Sequence, residues 1–457
     1  MKTRYITIII LIISIAFTSC KKILNTVSPN QVSDEDVFKN VEGLRNARIG
    51  MYATLEDQNY YGANYPLIAE CYTDNGTTGG YDVIDLNDIA SRTVQPSNIY
   101  IENMYIAIYN TIYTANKIIN NVDKIQDDNA DEKTNITGEA YFVRSLANFD
   151  LLRMFGEHWD KSSEYGISIV TTTDNVKTPV PRSTVEQSYS QIIGDLQTAI
   201  NDLNTNNGSQ YASLAAAKAL LARVYLYHGD KTKAAAMATD VINDADYALL
   251  DAGSFTQIYT KKLSTESVFE LVFDLQHPSF YNTETYLRDD ALRSDVTFLA
   301  NADLNTFFQG RNNDVRAQMA DFTNVDVSIQ PDGRTQKYRG EATKDNSAYV
   351  IRLAEMYLVR AEALGKDNGG IDDLNTLREA RGMNDLDDED ISSDDDFVNA
   401  ALDERRAELN FEGHRLFDLA RTGKITDVLG EGVQPIMPIP QREIAATNGV
   451  VKQNPGY

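Results

Sequence analysis

Apolar residues recur along this chain at the three-and-four spacing of helices that face a core. Phe142, Leu146, Phe149 and Leu152 lay one stripe on a helix predicted from Glu139 to Phe155, which Gly156 ends. A second helix is predicted from Ser183 to Leu203, with Val185, Tyr189, Ile192, Ile193, Leu196 and Ile200 repeating the apolar pattern. Ser183, three residues before Glu186, has the form of a capping box.

The stretch from Gln210 to Tyr247 says more about architecture. An alanine-rich turn at Ala215–Ala219 leads through Leu221 and Tyr225 to Gly229 and Asp230, and a second one, Ala234–Ala238, precedes Ile242. Small residues let two antiparallel helices approach closely, the Gly-Asp turn reverses the chain, and the aromatic ring fills the gap. This pattern resembles a tetratricopeptide helix pair. It returns at Leu353, Tyr357, Ala361 and Ala363, then Gly369 and Gly370, then Leu374, Leu377 and Ala380. Ile108, Tyr109, Ile112 and Ala115, with the helix ending at Phe155, give a further pair. One pair cannot bury its own apolar face, so several must stack, and a mainly α fold with a helical scaffold is predicted.

Three segments, about 57–100, 157–182 and 251–345, interrupt that period and are rich in Tyr, Asn, Asp, Gly and Thr. Irregular segments this long usually carry function or fold as a unit of their own. Within the last, Phe269, Leu271, Phe273 and Leu275 alternate with Glu270, Val272 and Asp274, the period of a half-buried strand.

Charge narrows the field of partners. The 457 residues include 67 Asp+Glu against 42 Lys+Arg, a formal net charge of −25. A negative field of that size repels phosphate backbones and excludes nucleic acid as a partner. His158, His228, His277 and His414 form no ligand pair, and no Walker loop, G-x-S-x-G elbow or complete G-x-G-x-x-G is present. No cofactor, metal site or catalytic set is therefore predicted. The acidic run Asp385–Asp396 lacks the spacing of a calcium loop and reads as a solvated turn. A glycosidase needs only two carboxylates close in space, so the residues alone leave that option open. Arg352, Glu355, Arg360 and Glu362, and then Glu404, Arg405, Arg406, Glu408, Glu412, His414, Arg415 and Asp418, share helix turns with core apolar residues. They are read as partly buried structural pairs.

Lys2 and Arg4 precede an apolar run from Ile6 to Phe17, and Thr18 and Ser19 lead into Cys20. This is the layout of an export signal, shorter than the ~20 apolar residues of a spanning helix. Small residues just before a cysteine resemble a bacterial lipoprotein signal. Residues 1–19 are then the signal peptide, Cys20 carries the lipid, residues 20–34 form a tether, and residues 35–457 form a single domain. Acyl chains at ~0.8 kcal/mol per buried CH₂ would hold such a protein on a membrane. Cys71 would be the only free thiol.

Four carboxy-terminal segments carry a wider resemblance: IRLAEMYLVRAEAL (351–364), LNTLREARG (374–382), ERRAELNFEGHRLFDLARTGK (404–424) and PIPQREIAATNGVVKQNPGY (438–457). With GEAYFVRSLANFDLLRMFGE (138–157) and DVFKNVEGLRNARIGMYATL (36–55), they resemble the SusD/RagB family of outer-membrane nutrient-binding lipoproteins of Bacteroidetes. The resemblance implies a single α-rich unit whose tetratricopeptide-like pairs support an irregular ligand-binding region. It implies no enzyme, but capture of a glycan, or in the RagB branch of peptides, for a SusC-like TonB-dependent transporter. It also implies outer-membrane placement, cell-surface facing, although Lys21 and Lys22 stand where acidic residues often favour surface export.

Sugar faces stack on aromatic rings while hydroxyls meet Asp, Asn and Arg. Two clusters in the irregular segments answer that description. Tyr60, Tyr61, Tyr65, Asp74, Asn75 and Tyr81 form one, and Tyr281, Tyr286, Arg288, Phe307, Phe308 and Arg311 form the other. Against 25 tyrosines there is one tryptophan, Trp159, which disfavours a flat platform for a helical polysaccharide.

Overall fold

A computed structural model describes residues 34–79, 83–173, 178–205, 207–285, 297–322, 333–338, 345–387, 389 and 391–457. The export signal, Cys20, all but the last residue of the tether, Tyr81, Tyr286 and Arg288 lie outside the described residues.

The principal helices are α1 (Val41–Leu55), α2 (Asn64–Cys71), α3 (Ile99–Asn121), α4 (Ala130–Phe155), α5 (Val185–Asp202), α6 (Leu214–His228) and α7 (Lys231–Ile242). They continue with α8 (Ala302–Gln309), α9 (Leu353–Leu364), α10 (Gly370–Ala380), α11 (Asp394–Leu409), α12 (Arg415–Arg421) and α13 (Gln441–Ala446). Consecutive helices pack as antiparallel pairs, α3 with α4, α4 with α5, α6 with α7 and α9 with α10. The tetratricopeptide-like reading of the alanine-rich pair holds in detail. Gly229 ends α6 at φ 87°, a left-handed conformation that favours glycine, and the Asp230 side chain accepts a bond from Lys233 N to start α7.

Two expected boundaries shift. α4 begins at Ala130, because its first turns carry a polar stretch that shows no apolar period. The capping box of α5 is made by Thr184 and Gln187, one residue beyond the Ser183–Glu186 pair. At the end of the acidic run Ser393 and Asp396 form another box, which opens α11.

Buried ion pairs rivet the helices together. Glu139 of α4 accepts from Arg48 and Tyr52 of α1 at 2.7 and 2.8 Å. Arg144 of α4 grips Asp195 of α5 through two 2.7 Å bonds, and Arg223 of α6 holds Glu355 of α9. One apolar core runs from Phe38 to Val451, and a smaller cluster around Leu358, Leu374 and Phe397 lies between α9, α10 and α11.

The irregular segments contain more structure than their composition predicts. α2 lies in the first, with all eight residues buried, so it has no polar face and no amphipathic period. Among the described residues three small antiparallel sheets form: β1 (Gly76–Thr78) with β3 (Phe298–Ala300), β2 (Ser267–Leu271) with β6 (Ala348–Arg352), and β4 (Ala320–Asp321) with β5 (Arg334–Thr335). The predicted alternating strand is β2, but it is buried on both faces and ends at Leu271. Glu270 points inward and accepts the Leu263 amide and the Ser267 hydroxyl, and burial pushes its carboxyl above the usual range.

Candidate functional site

The first predicted cluster is drawn into the core. Tyr60, Tyr61 and Tyr65 flank the start of α2, and their hydroxyls donate to one carboxylate, Asp150 of α4, at 2.6, 2.8 and 3.0 Å. Arg153 donates to the same group at 2.5 Å and lies over the rings of Phe149 and Phe417. All three tyrosines are buried, and burial beside that carboxylate pushes their hydroxyls well above the usual phenol range. Their polar groups are committed inside the protein.

Asp74 and Asn75, at the end of the same stretch, do the joining work between α2 and the carboxy-terminal helices. Arg415 donates to both Asp74 oxygens at 2.9 and 2.8 Å, and Asn75 donates to Glu70 at 2.7 Å. Glu70 in turn accepts the amides of Gly413 and His414, both at 3.1 Å, just before α12. Gly413 sits at φ 81°, where an added Cβ would lie 2.7 Å from Pro66 of α2. Glycine there lets the turn lie directly on α2.

In the second cluster Tyr281 is buried, stacked on Tyr338 at 4.1 Å and donating to the Tyr61 carbonyl at 2.7 Å. Phe308 is also buried, whereas Phe307 and Arg311 are half-buried. The Arg406 and Arg311 guanidinium carbons lie 4.7 and 5.2 Å from the Phe307 ring centroid. Arg406 also donates to Asn75 Oδ1 and the Asp74 carbonyl at 2.8 and 2.7 Å. Asn301 caps α8 through Leu304 N at 3.0 Å and donates its own amide to the Asn75 carbonyl. Asp74, Asn75, Phe307 and Arg311 thus meet on one face, to which the exposed Asp303 and Asp403 belong by sequence position. Arg406, legible in the sequence only as one of many charges, is the group that ties the ring to Asp74 and Asn75.

That face is held from behind by the charge cluster. Glu404 and Glu408 of α11 and Glu412 beyond it stand four residues apart. Glu404 takes bonds from Arg311, Arg316 and Arg378, Glu408 from Arg352 at 2.7 Å and Arg381 at 2.9 Å, and Glu412 from Lys337 at 2.6 Å and Arg352 at 2.8 Å. Burial alone would raise the Glu404 carboxyl, but Arg316, Arg311 and Arg378 override it and hold it at about 2. The structural reading of these charges holds. They bolt the irregular region to the helical scaffold and fix α8 in place. Among the described residues no group of His, Cys, Asp and Glu has the arrangement of a metal site, and no helix is long and apolar enough to cross a membrane.

Comparison with known proteins places this architecture. Residues 24–226 match the family described as starch-binding and associating with the outer membrane, and residues 160–435 match the SusD family. The chain is 26% identical to SusD-like protein P2 of Formosa agariphila over the whole of both chains. A SusD superfamily protein of Bacteroides vulgatus is 25% identical, with a TM-score of 0.80 over 92% of this chain and 99% of its own. A laminarin-binding SusD-like protein, 24% identical, has the same fold, with a TM-score of 0.77 over 92% of this chain and 100% of its own. The chain belongs to the SusD family, whose members are carbohydrate-binding, non-catalytic, outer-membrane-associated lipoproteins.

Proposed function

We propose that this protein captures an oligosaccharide at the cell surface and passes it to a SusC-like TonB-dependent transporter, anchored by lipid on Cys20. The observation that carries this reading is the SusD family match over residues 160–435. The face around Phe307 supports it: a half-buried ring beside the Arg311 and Arg406 guanidinium groups, with Asn301, Asp303 and Asp403 nearby in the fold, offers a sugar an apolar contact and hydroxyl partners. The laminarin-binding structural relative makes neutral glucans the first ligands to try.

Titration calorimetry with neutral glycans and with peptides tests the ligand class. Saturable glycan binding that Phe307→Ala weakens by about tenfold or more supports the reading, since one well-stacked ring contributes about 0.5–1.5 kcal/mol beyond the area it buries. Binding of peptides alone would move the protein to the RagB-like alternative. Palmitate labelling lost in Cys20→Ala, and copurification of a large β-barrel from membranes, test the anchor and the partner separately.

A further inference from the structure

A cleft of about 580 Å³ lies outside the Phe307 face, between α3, the extended segment 168–172 and α13. One wall is a row of tyrosines. Tyr105, Tyr109 and Tyr113 stand four residues apart on α3, about 6 Å per step along the helix axis. The rings of Tyr105 and Tyr109 lie 4.8 Å apart at a tilt of 52°, and Tyr113 stands one turn further along. Tyr109 donates to the Ser168 carbonyl at 3.1 Å, and Asn116 and Asn120 of the same helix bind the Val170 and Thr171 carbonyls at 2.9 and 3.0 Å. These bonds fix the opposite wall at a set distance from the rings.

Three polar groups in this cleft have no hydrogen-bond partner among the described residues. Ser168 is only 6% exposed, and its hydroxyl is unpartnered. The Glu443 carboxylate on α13 and the Tyr113 hydroxyl, both half-buried, are likewise unbonded. A buried hydroxyl without a protein partner is costly to leave dry, so Ser168 is available to a hydroxyl that enters the cleft. Among the described residues no Lys or Arg lines the cleft, although Lys117 Nζ lies 5.0 Å from the Tyr113 ring centroid, and Ile106 beside the row is 48% exposed.

We propose that this cleft is a second carbohydrate subsite, binding an uncharged sugar unit with its apolar face on the tyrosine row and its hydroxyls on Glu443, Ser168 and Tyr113. The proposal rests on the glycan-binding reading and extends it to a place apart from the Phe307 face. The volume suits such a ligand, since small-molecule sites commonly span about 300–1,000 Å³. The Glu443 carboxylate, in a chain already carrying −25, disfavours anionic sugars. A quaternary ammonium would need rings converging from several directions. Here they come from one helix and make a wall, which matches a ring or an extended chain.

The test uses the mature chain with maltoheptaose, laminarihexaose and cellohexaose, counting sites by calorimetry and mapping them by NMR. Two sites per chain are expected for a member of the panel. Ala446→Trp, an exposed position that fills the cleft, should remove one of them, and Glu443→Gln or Tyr113→Ala should weaken that same site by tenfold or more. Phe307→Ala should leave it in place. If Phe307→Ala abolishes all binding while Ala446→Trp changes nothing, the cleft is not a subsite, although the family reading stands. If no glycan binds anywhere, both readings fail together. If the cleft takes tetramethylammonium rather than sugar, or if Ala446→Trp abolishes only copurification of the β-barrel, the sugar assignment is overturned.

Discussion

Two groups of three tyrosines meet different fates in this protein. Tyr60, Tyr61 and Tyr65 converge on Asp150 and Arg153 in the core, while Tyr105, Tyr109 and Tyr113 line a cleft beside the unbonded Glu443. Both groups pair phenols with a carboxylate. The difference is the counter-charge. Arg153 neutralises Asp150 and the three hydroxyls complete its shell, so the first group can be sealed from water. Among the described residues Glu443 has no such partner, and its site stays open. A polar group whose valences are filled by the protein makes structure; one left with empty valences is available to a ligand.

The largest effect follows from removing the filled carboxylate. Asp150→Ala leaves Arg153, 2% exposed, as an uncompensated buried charge and strands three hydroxyls, at an expected cost of about 3–5 kcal/mol in denaturant unfolding. Glu443→Ala should change the same measurement by no more than about 0.5 kcal/mol. Equal costs would erase the distinction. Next in size is Tyr60→Phe, which removes one of the hydroxyl donors to Asp150 and should cost about 1.5–3 kcal/mol.

These contrasts also show what the chain discloses before folding. The 210–247 helix pair was legible because alanines, an aromatic and a Gly-Asp turn each report the same close packing, and the charges from Glu404 to Asp418 were legible as structural because they share turns with core residues. Phe307 and Arg311 were found by composition and do reach a surface. Tyr60, Tyr61 and Tyr65 also looked like loop aromatics, because nothing nearby identifies a partner. Asp150 stands 90 residues beyond Tyr60, and only the packing of α2 on α4 brings them together. The row of Tyr105, Tyr109 and Tyr113 on α3 does not stand out in the sequence from the apolar repeats around it. Its meaning depends on segment 168–172 and α13, which no local pattern connects to it.

Acid should separate the two regions by sign. His158 packs against Tyr227 and Phe417 in the sealed region, and neither ring nitrogen has a partner among the described residues. Burial first, then the Arg153 and Arg421 charges, lower its pKa to about 3. Between pH 6.5 and 3 the unfolded chain binds a proton that the folded one does not, so stability falls as pH falls through that window. Glu443 is shifted the other way, raised by burial. Its contribution is present below the unfolded carboxyl value and is lost as pH rises through the folded one. In thermal unfolding from pH 7 to 3.5, His158→Phe should flatten the decline, whereas Glu443→Gln should steepen it.

The smallest effects lie along the cleft row itself and test whether it is graded. Tyr105 is buried, Tyr109 is half-buried with its hydroxyl on the Ser168 carbonyl, and the Tyr113 hydroxyl has no bond among the described residues. Tyr109→Phe gives up one neutral hydrogen bond and should cost about 0.5–1.5 kcal/mol. Tyr113→Phe gives up none within the protein, so its unfolding free energy should match the parent within about 0.5 kcal/mol. A loss at Tyr113 as large as at Tyr109 would mean that this hydroxyl already serves the fold. The cleft would then resemble the sealed cluster around Asp150, and the tyrosine row would have no empty valence to offer a sugar.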